Sequence, residues 1–298
     1  INLGKLQGGA VGLFASTLRH SGTILANTVS QDGGKVVLRA SGDAFVEGAG
    51  RIVATGTVGG RGDVLGKRVA VTDQAVIDVS GQVAGGTVRV GGDYQGKNSD
   101  VPNADITYFG PQASIKADAT LQGDGGKVIV WADDTTRAYG QISARGGELG
   151  GNGGLVETSG KRYLDFQGQV DTGAPQGRAG RLLLDPSNIT IDNSADVNVT
   201  GSTILTSSPT LNANLTWATI NAQTGNVEVQ TNVGSTSGVG DILINASGAV
   251  TGPTNLTLLA HRNIDIAASV VVGGAGTAAN LTMIAGWNGT GLAVTSGV

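Results

Sequence analysis

Short apolar runs ending in a small residue recur along the chain, followed by two glycines, or in the last copy one, and an apolar run. Ile24-Leu25-Ala26 precedes Gly33-Gly34-Lys35-Val36-Val37-Leu38, Val76-Ile77-Asp78-Val79-Ser80-Gly81 precedes Gly85-Gly86-Thr87-Val88-Arg89-Val90, and Ile115-Lys116-Ala117 precedes Gly125-Gly126-Lys127-Val128-Ile129-Val130. Later copies are Ile142-Ser143-Ala144 with Gly153-Gly154-Leu155-Val156 and Val170-Asp171-Thr172 with Gly180-Arg181-Leu182-Leu183-Leu184. The leading positions 24, 52, 77, 115, 142 and 170 stand 28, 25, 38, 27 and 28 residues apart. A period in this range marks a solenoid.

The runs are short, rich in Val, Ile, Leu and Thr, and bounded by Gly, Asn, Asp or Ser, which is strand patterning; helical repeats need longer amphipathic stretches. The 51 glycines of the 298 residues would weaken helices, whereas at the corners of a coil they supply positive φ and let turns approach closely. The pattern therefore predicts an all-β fold, a right-handed parallel β-helix (β-solenoid) with loop insertions and at most one short helix. At this period the chain makes roughly a dozen rungs and a rod of about 50–60 Å. The one short helix is expected where Ser208 caps Pro209, with Leu211 and Leu215 four apart.

Two segments of one coil are expected. Residues 1–191 form the regular Gly-rich part, with a loop projecting near 91–110 where the repeat is interrupted. Residues 192–298 continue the coil with Asn and Thr ladders such as Asn226-Val227-Glu228-Val229. Charge shifts at the same place: residues 1–181 hold 18 of the 19 Lys and Arg and 17 of the 23 acids, and the remainder holds Arg262 against six acids. The net charge of −4 carries no basic stripe, which argues against nucleic acid and anionic membrane as partners. Only 4% of residues are aromatic, which fits a narrow core of small aliphatic ladders. The chain has no cysteine, as suits a large exported protein that must cross a membrane unfolded, although an Ala/Gly/Thr/Val-rich repeat also lacks Cys by composition alone. It begins at Ile1 and its single Met is Met283, so it reads as a processed or excised piece of something longer.

Several stretches carry a resemblance. Gly91-Gly92-Asp93-Tyr94-Gln95-Gly96-Lys97, Val130-Trp131-Ala132-Asp133-Asp134-Thr135, Ser143-Ala144-Arg145-Gly146-Gly147, Gly153-Gly154-Leu155-Val156-Glu157-Thr158-Ser159-Gly160 and Leu182-Leu183-Leu184-Asp185-Pro186 resemble large exoproteins of the filamentous-haemagglutinin family, the passengers of bacterial two-partner secretion. Leu256-Thr257-Leu258-Leu259-Ala260-His261-Arg262-Asn263-Ile264 resembles a further segment of the same family. The resemblance implies a β-helical shaft, export through a dedicated outer-membrane two-partner secretion transporter, a secreted or cell-surface location on a Gram-negative cell, and a part in adhesion, aggregation or biofilm. The family's amino-terminal secretion domain is not evident, so the chain reads as the shaft that follows it.

Candidate chemistry is sparse. Arg61-Gly62-Asp63 is an integrin-type tripeptide in a Gly-rich stretch expected to form a turn; its competing reading is chance in a glycine-rich chain. Tyr94, Tyr108 and Phe109 share the expected loop and are the preferred contact surface for a polysaccharide or receptor. Asn-x-Ser/Thr triplets stand at Asn188, Asn198, Asn214, Asn245, Asn255, Asn280 and Asn288; they are glycosylation candidates by the resemblance, and otherwise solvent-facing ladders and turns. Asp133-Asp134 is a carboxylate pair that converges only if a turn intervenes, and His20 and His261 come with no nucleophile motif. Trp131, Trp217 and Trp287 are sugar platforms or, on the plainer reading, packing caps. No catalytic, cofactor or metal motif is present. The expected function is a structural and adhesive shaft rather than an enzyme. Its alternatives are a filament subunit joined end to end, since open solenoid ends expose strand edges, and a polysaccharide-active β-helix enzyme.

Overall fold

In a computed structural model, describing residues 1–29, 31–194, 204–208, 212–232, 240–273 and 279–289, each of the first six turns lays one strand on each of three faces and then runs out into an arm, while the later turns continue the first face beside a separate four-stranded sheet. The first face is a ten-stranded parallel sheet from Ala10–Ala15 to Asn280–Ala285. The second has six strands from Leu18–His20 to Tyr163–Phe166, and the third seven from Lys5–Gly8 to Gln169–Asp171. The fold is a parallel β-solenoid of ten turns. At the ordinary spacing of strands its first face is about 45 Å long.

The count is ten rather than a dozen because two turns are long. Along the first face the register Ala10, Lys35, Arg61, Thr87, Lys127, Leu155, Arg181, Asn226, Asn255, Asn280 holds steps of 25 to 29 residues except two, of 40 and 45. The first long step contains residues 91–105. The second contains an extra strand, Asn212–Thr216, which lies beside Tyr163–Phe166 and pairs with Asn188–Asp192. The first face runs unbroken past residue 191, with Arg181–Leu184 paired to Asn226–Gln230.

The repeating apolar positions form the core. Leu6, Ile24, Ile52, Ile77, Ile115, Ile142 and Val170 are register partners on the third face, and the five isoleucines are at most 3% exposed. Burying a side chain of this size contributes about 1.5–3 kcal/mol. The small residues that close the runs, Ala26, Ala54, Val79, Ala117 and Ala144, are fully buried where the chain leaves the core.

The paired glycines sit at the neck of each arm. Amide N–H groups of Gly34, Gly60, Gly86, Gly126 and Gly154 donate to the carbonyls of Ala26, Ala54, Val79, Ala117 and Ala144, closing each arm at its base. Successive necks stack so tightly that a Cβ on Gly86 would lie 2.2 Å from the Gly60 oxygen, and one on Gly126 2.0 Å from that of Gly86. None of these neck glycines has positive φ, so close approach rather than left-handed backbone selects glycine here. The arms bond to one another through Gly33 N to Val58 O, Gly59 N to Ala84 O and Gly125 N to Asn152 O, making a fin that runs down the shaft.

The expected projecting loop at 91–110 is corrected. Residues 91–105 lie down on the outside of the first face, and Ile106–Phe109 is a buried strand of the second. The expected helix is displaced as well. Residues 209–211 lie outside the described residues, Leu215 is in a strand, and the helix is Trp217–Asn221, capped by the Thr216 hydroxyl on the Thr219 amide. It is too short to cross a membrane, as is every described helix.

Candidate functional site

The strand Arg61–Leu65 carries the integrin-type tripeptide, so the expected turn is corrected to a central strand of the first face. Gly62 faces inward in the ladder that Val36 and Val88 fill on neighbouring turns, and a Cβ there would lie 3.3 Å from the Ile77 Cγ2. Asp63 faces outward yet is 1% exposed. Its carboxylate accepts from Arg61 Nε at 2.9 Å, Arg89 Nε at 2.8 Å and Arg89 Nη2 at 3.0 Å. Burial pushes the Asp63 carboxyl up, while Arg61 pulls it back. A receptor reading this tripeptide needs a free carboxylate, which the two guanidiniums occupy.

Residues 91–105 form a strap over this face. Arg89 Nη1 donates to Asp93 at 2.8 Å, Lys127 Nζ lies 3.5 Å from Asp93 and 5.1 Å from the Tyr94 ring centre, and Arg181 Nη2 donates to the Tyr94 hydroxyl at 3.2 Å. The Gln95 amide donates to Glu157 at 2.9 Å. The Trp131 indole fills the space under Gly92 and Gly96 and donates to Asp133 at 3.1 Å. Beneath the strap, Glu157 is fully buried, and burial, aided by the negative charge of Asp185, raises its carboxyl to about 8 against the pull of the Gln95 amide. Burial lifts Asp185 to about 7, although Gln230 donates to it at 3.1 Å. Sequence reading passed over Glu157 and Asp185 because nothing local distinguishes them: the strap meets Glu157 from more than sixty residues away, and Asp185 finds Gln230 only on a later turn.

The aromatic cluster expected in the loop is divided. Tyr94 is half-buried in the strap. Phe109 points into the solenoid and is fully buried. Tyr108 points outward, but the Tyr139 ring meets it edge-on at 5.7 Å and Leu205 joins the same buried cluster, leaving it 7% exposed. Tyr108 and Phe109 are therefore corrected from contact residues to packing residues. The Tyr139 hydroxyl donates to Asp165 at 2.5 Å, and burial with that carboxylate raises the phenol.

The Asn-x-Ser/Thr positions fall into distinct settings. Asn198 lies outside the described residues. Asn188 accepts from the Gly240 and Asp241 amides, and Asn255 donates to Asn226 while accepting from Asn280, so these side chains are engaged in ladders. Asn214 is part of the strand Asn212–Thr216, while Asn245, Asn280 and Asn288 are exposed. Trp131 and Trp217 pack as buried caps, the latter donating to the Ala246 carbonyl at 2.8 Å. Asp133 serves Trp131 and Asn103, whereas Asp134 binds Arg162 and Ser207, so the adjacent acids do not act as a pair. His20 is buried, with one ring nitrogen 3.1 Å from Asn2 and the other 3.1 Å from the Arg51 carbonyl; burial lowers its pKa.

A further open surface lies in the angle between the third face and the fin. Two adjoining hollows of about 750 and 420 Å³ share Lys116 in their walls and end at Ala222 and Thr224. They form a trough running from Asn27 past Asp78 and across the strands Ser114–Lys116, Gln141–Ser143 and Gln169–Asp171. Its bends are held by local bonds: Asp78 accepts from the Ser80 amide at 3.0 Å, and Asp118 accepts from the Ser143 hydroxyl at 2.7 Å and the Arg145 amide at 2.8 Å. Sequence reading missed this surface, because its residues are polar, unremarkable and 25 to 38 positions apart.

Fold and surface together define a parallel β-solenoid with a stacked fin and a polar trough. No family model and no curated protein matches the chain.

Proposed function

We propose that this chain is a structural and adhesive shaft segment of a secreted bacterial surface exoprotein of the filamentous-haemagglutinin kind, exported by a two-partner secretion transporter and serving cell-surface, cell-cell or biofilm-matrix adhesion. The observation that carries the reading is the unbroken ten-turn first face with the fin and trough stacked alongside it. A coil of this kind spreads its stability over neighbouring turns and repeats its outward side chains at the strand spacing, so weak contacts along its length add by effective concentration. The motif resemblance and the absence of cysteine support export.

The test is adhesion of beads coated with the 298-residue chain to bacterial cells and to biofilm matrix, alongside an assay for release of reducing ends from a polysaccharide panel. Retention above beads coated with an unrelated protein, with no fragments released, is the expected result. Fragment release abolished by replacing one acid establishes an enzyme instead. Absence of both signals overturns the adhesive reading and leaves a spacer or filament subunit.

A further inference from the structure

We propose that the trough between the third face and the fin binds a neutral, hydroxyl-rich polysaccharide chain lengthwise, with Asp78 and Lys116 reading a vicinal diol. The inference rests on the adhesive reading and adds a ligand class and a place.

Asp78 and Lys116 are register partners on adjacent turns, so a carboxylate and an ammonium stand side by side at the strand spacing. Asp78 spends Oδ1 on the Ser80 amide, and Oδ2 has no partner among the described residues. The Lys116 ammonium is exposed and makes no hydrogen bond or ion pair among the described residues, although Asp78 is its register partner and Asp118 stands two residues on. Two neighbouring hydroxyls complement such a pair, one donating to the carboxylate and the next accepting from the ammonium.

The side-chain amides of Gln82, Gln141 and Gln169 likewise have no partner among the described residues and are exposed along the same trough. Gln141 and Gln169 are themselves register partners, so they repeat a donor and an acceptor one turn apart. The lining carries Asp78, Asp118 and Asp171 against Lys116, with Asp171 neutralised by Arg145 from beside the trough, so the balance is slightly negative. That balance gathers no polyanion. No aromatic ring lines either hollow, so recognition runs through hydroxyls rather than ring stacking, and avidity comes from the repeat.

The experiment is affinity electrophoresis of the full chain in gels containing dextran, mannan or galactan. Each is run intact and after periodate cleavage of its vicinal diols followed by borohydride reduction, with polygalacturonate as the polyanion. Expected is retardation by at least one intact neutral polymer, lost after periodate, and about tenfold weaker in Asp78→Asn/Lys116→Met. Asp78→Asn keeps an oxygen for the Ser80 amide and Lys116→Met keeps the stem, so an unchanged thermal midpoint verifies folding; Gln141→Ala/Gln169→Ala supplies a second weakened variant. Retardation by no neutral polymer, preference for polygalacturonate, or binding indifferent to both double variants overturns the proposal. Bead adhesion that survives those variants leaves the shaft reading intact while removing the trough, whereas loss of all adhesion by the unaltered chain removes the shaft reading itself.

Discussion

A Cβ at Gly86 would sit 2.2 Å from the Gly60 oxygen and 2.6 Å from that of Val79, both backbone atoms that cannot rotate away. Gly86→Ala is expected to cost about 1–3 kcal/mol by overpacking, read as a lowered thermal midpoint, whereas Gly4→Ala, with only an Asn2 oxygen at 3.9 Å, leaves the midpoint unchanged. Glu157 makes a second prediction at this scale. Its carboxyl, at about 8 in the fold against 4.5 ordinarily, holds a proton that the unfolded chain releases, so its contribution is complete below about pH 4.5 and lost as pH rises through about 8. Asp185, raised from 3.8 to about 7, acts in the same sense over a lower window. Thermal midpoints measured between about pH 5 and 8 should therefore fall with rising pH, and fall less in Glu157→Gln.

Among the elements, the strap is held by one large apolar contact and a ring of charges. Trp131→Ala removes the indole beneath Gly92 and Gly96 and is expected to cost about 3–5 kcal/mol. It should also loosen the strap backbone around the already exposed Lys97, so that limited trypsin digestion cuts there faster than in the unaltered chain. The same element explains the fate of the integrin-type tripeptide. Asp63→Ala leaves Arg89, 7% exposed, without its bidentate partner and held by Asp93 alone, and is expected to cost about 1.5–3 kcal/mol, the range for hydrogen bonds to a charged group. The folded chain is expected not to compete for a receptor that reads Arg-Gly-Asp, while a synthetic peptide of residues 57–67 competes; competition by the folded chain would show the strand to be open.

Across the whole molecule, stability is a sum over turns and their neighbours rather than one core. The strap spans Thr87–Val90, Lys127–Ala132, Leu155–Gly160 and Arg181–Leu184 through Arg89, Lys127, Glu157 and Arg181, tying four successive turns together from outside. Amide hydrogen exchange should be slowest in these strands and faster in Ala10–Ala15, the end strand of the face, paired on one side alone. Trp131→Ala should narrow the difference, the remainder reflecting the end position of Ala10–Ala15 in its sheet.

The sequence alone determined the solenoid, because the ladder positions Ile24, Ile52, Ile77, Ile115, Ile142 and Val170 repeat at the length of one turn, and the neck glycines repeat with them. Both signals are local and periodic: an inward side chain and a glycine under a neighbouring carbonyl are demanded once per turn, whatever lies outside. The outer surface belongs to the tertiary structure. Asp63, Tyr108 and Glu157 are outward residues on their strands, and alternation assigns them to solvent; the Arg61 and Arg89 side chains bind Asp63, Tyr139 and Leu205 pack on Tyr108, and residues 91–105 meet Glu157. Asp78 and Lys116 are 38 positions apart and become neighbours only through the register of two turns separated by that long insertion. Period sets what faces inward, since every turn must fill the same narrow core; what covers or opens the outside depends on where each insertion lands, and no repeat encodes that.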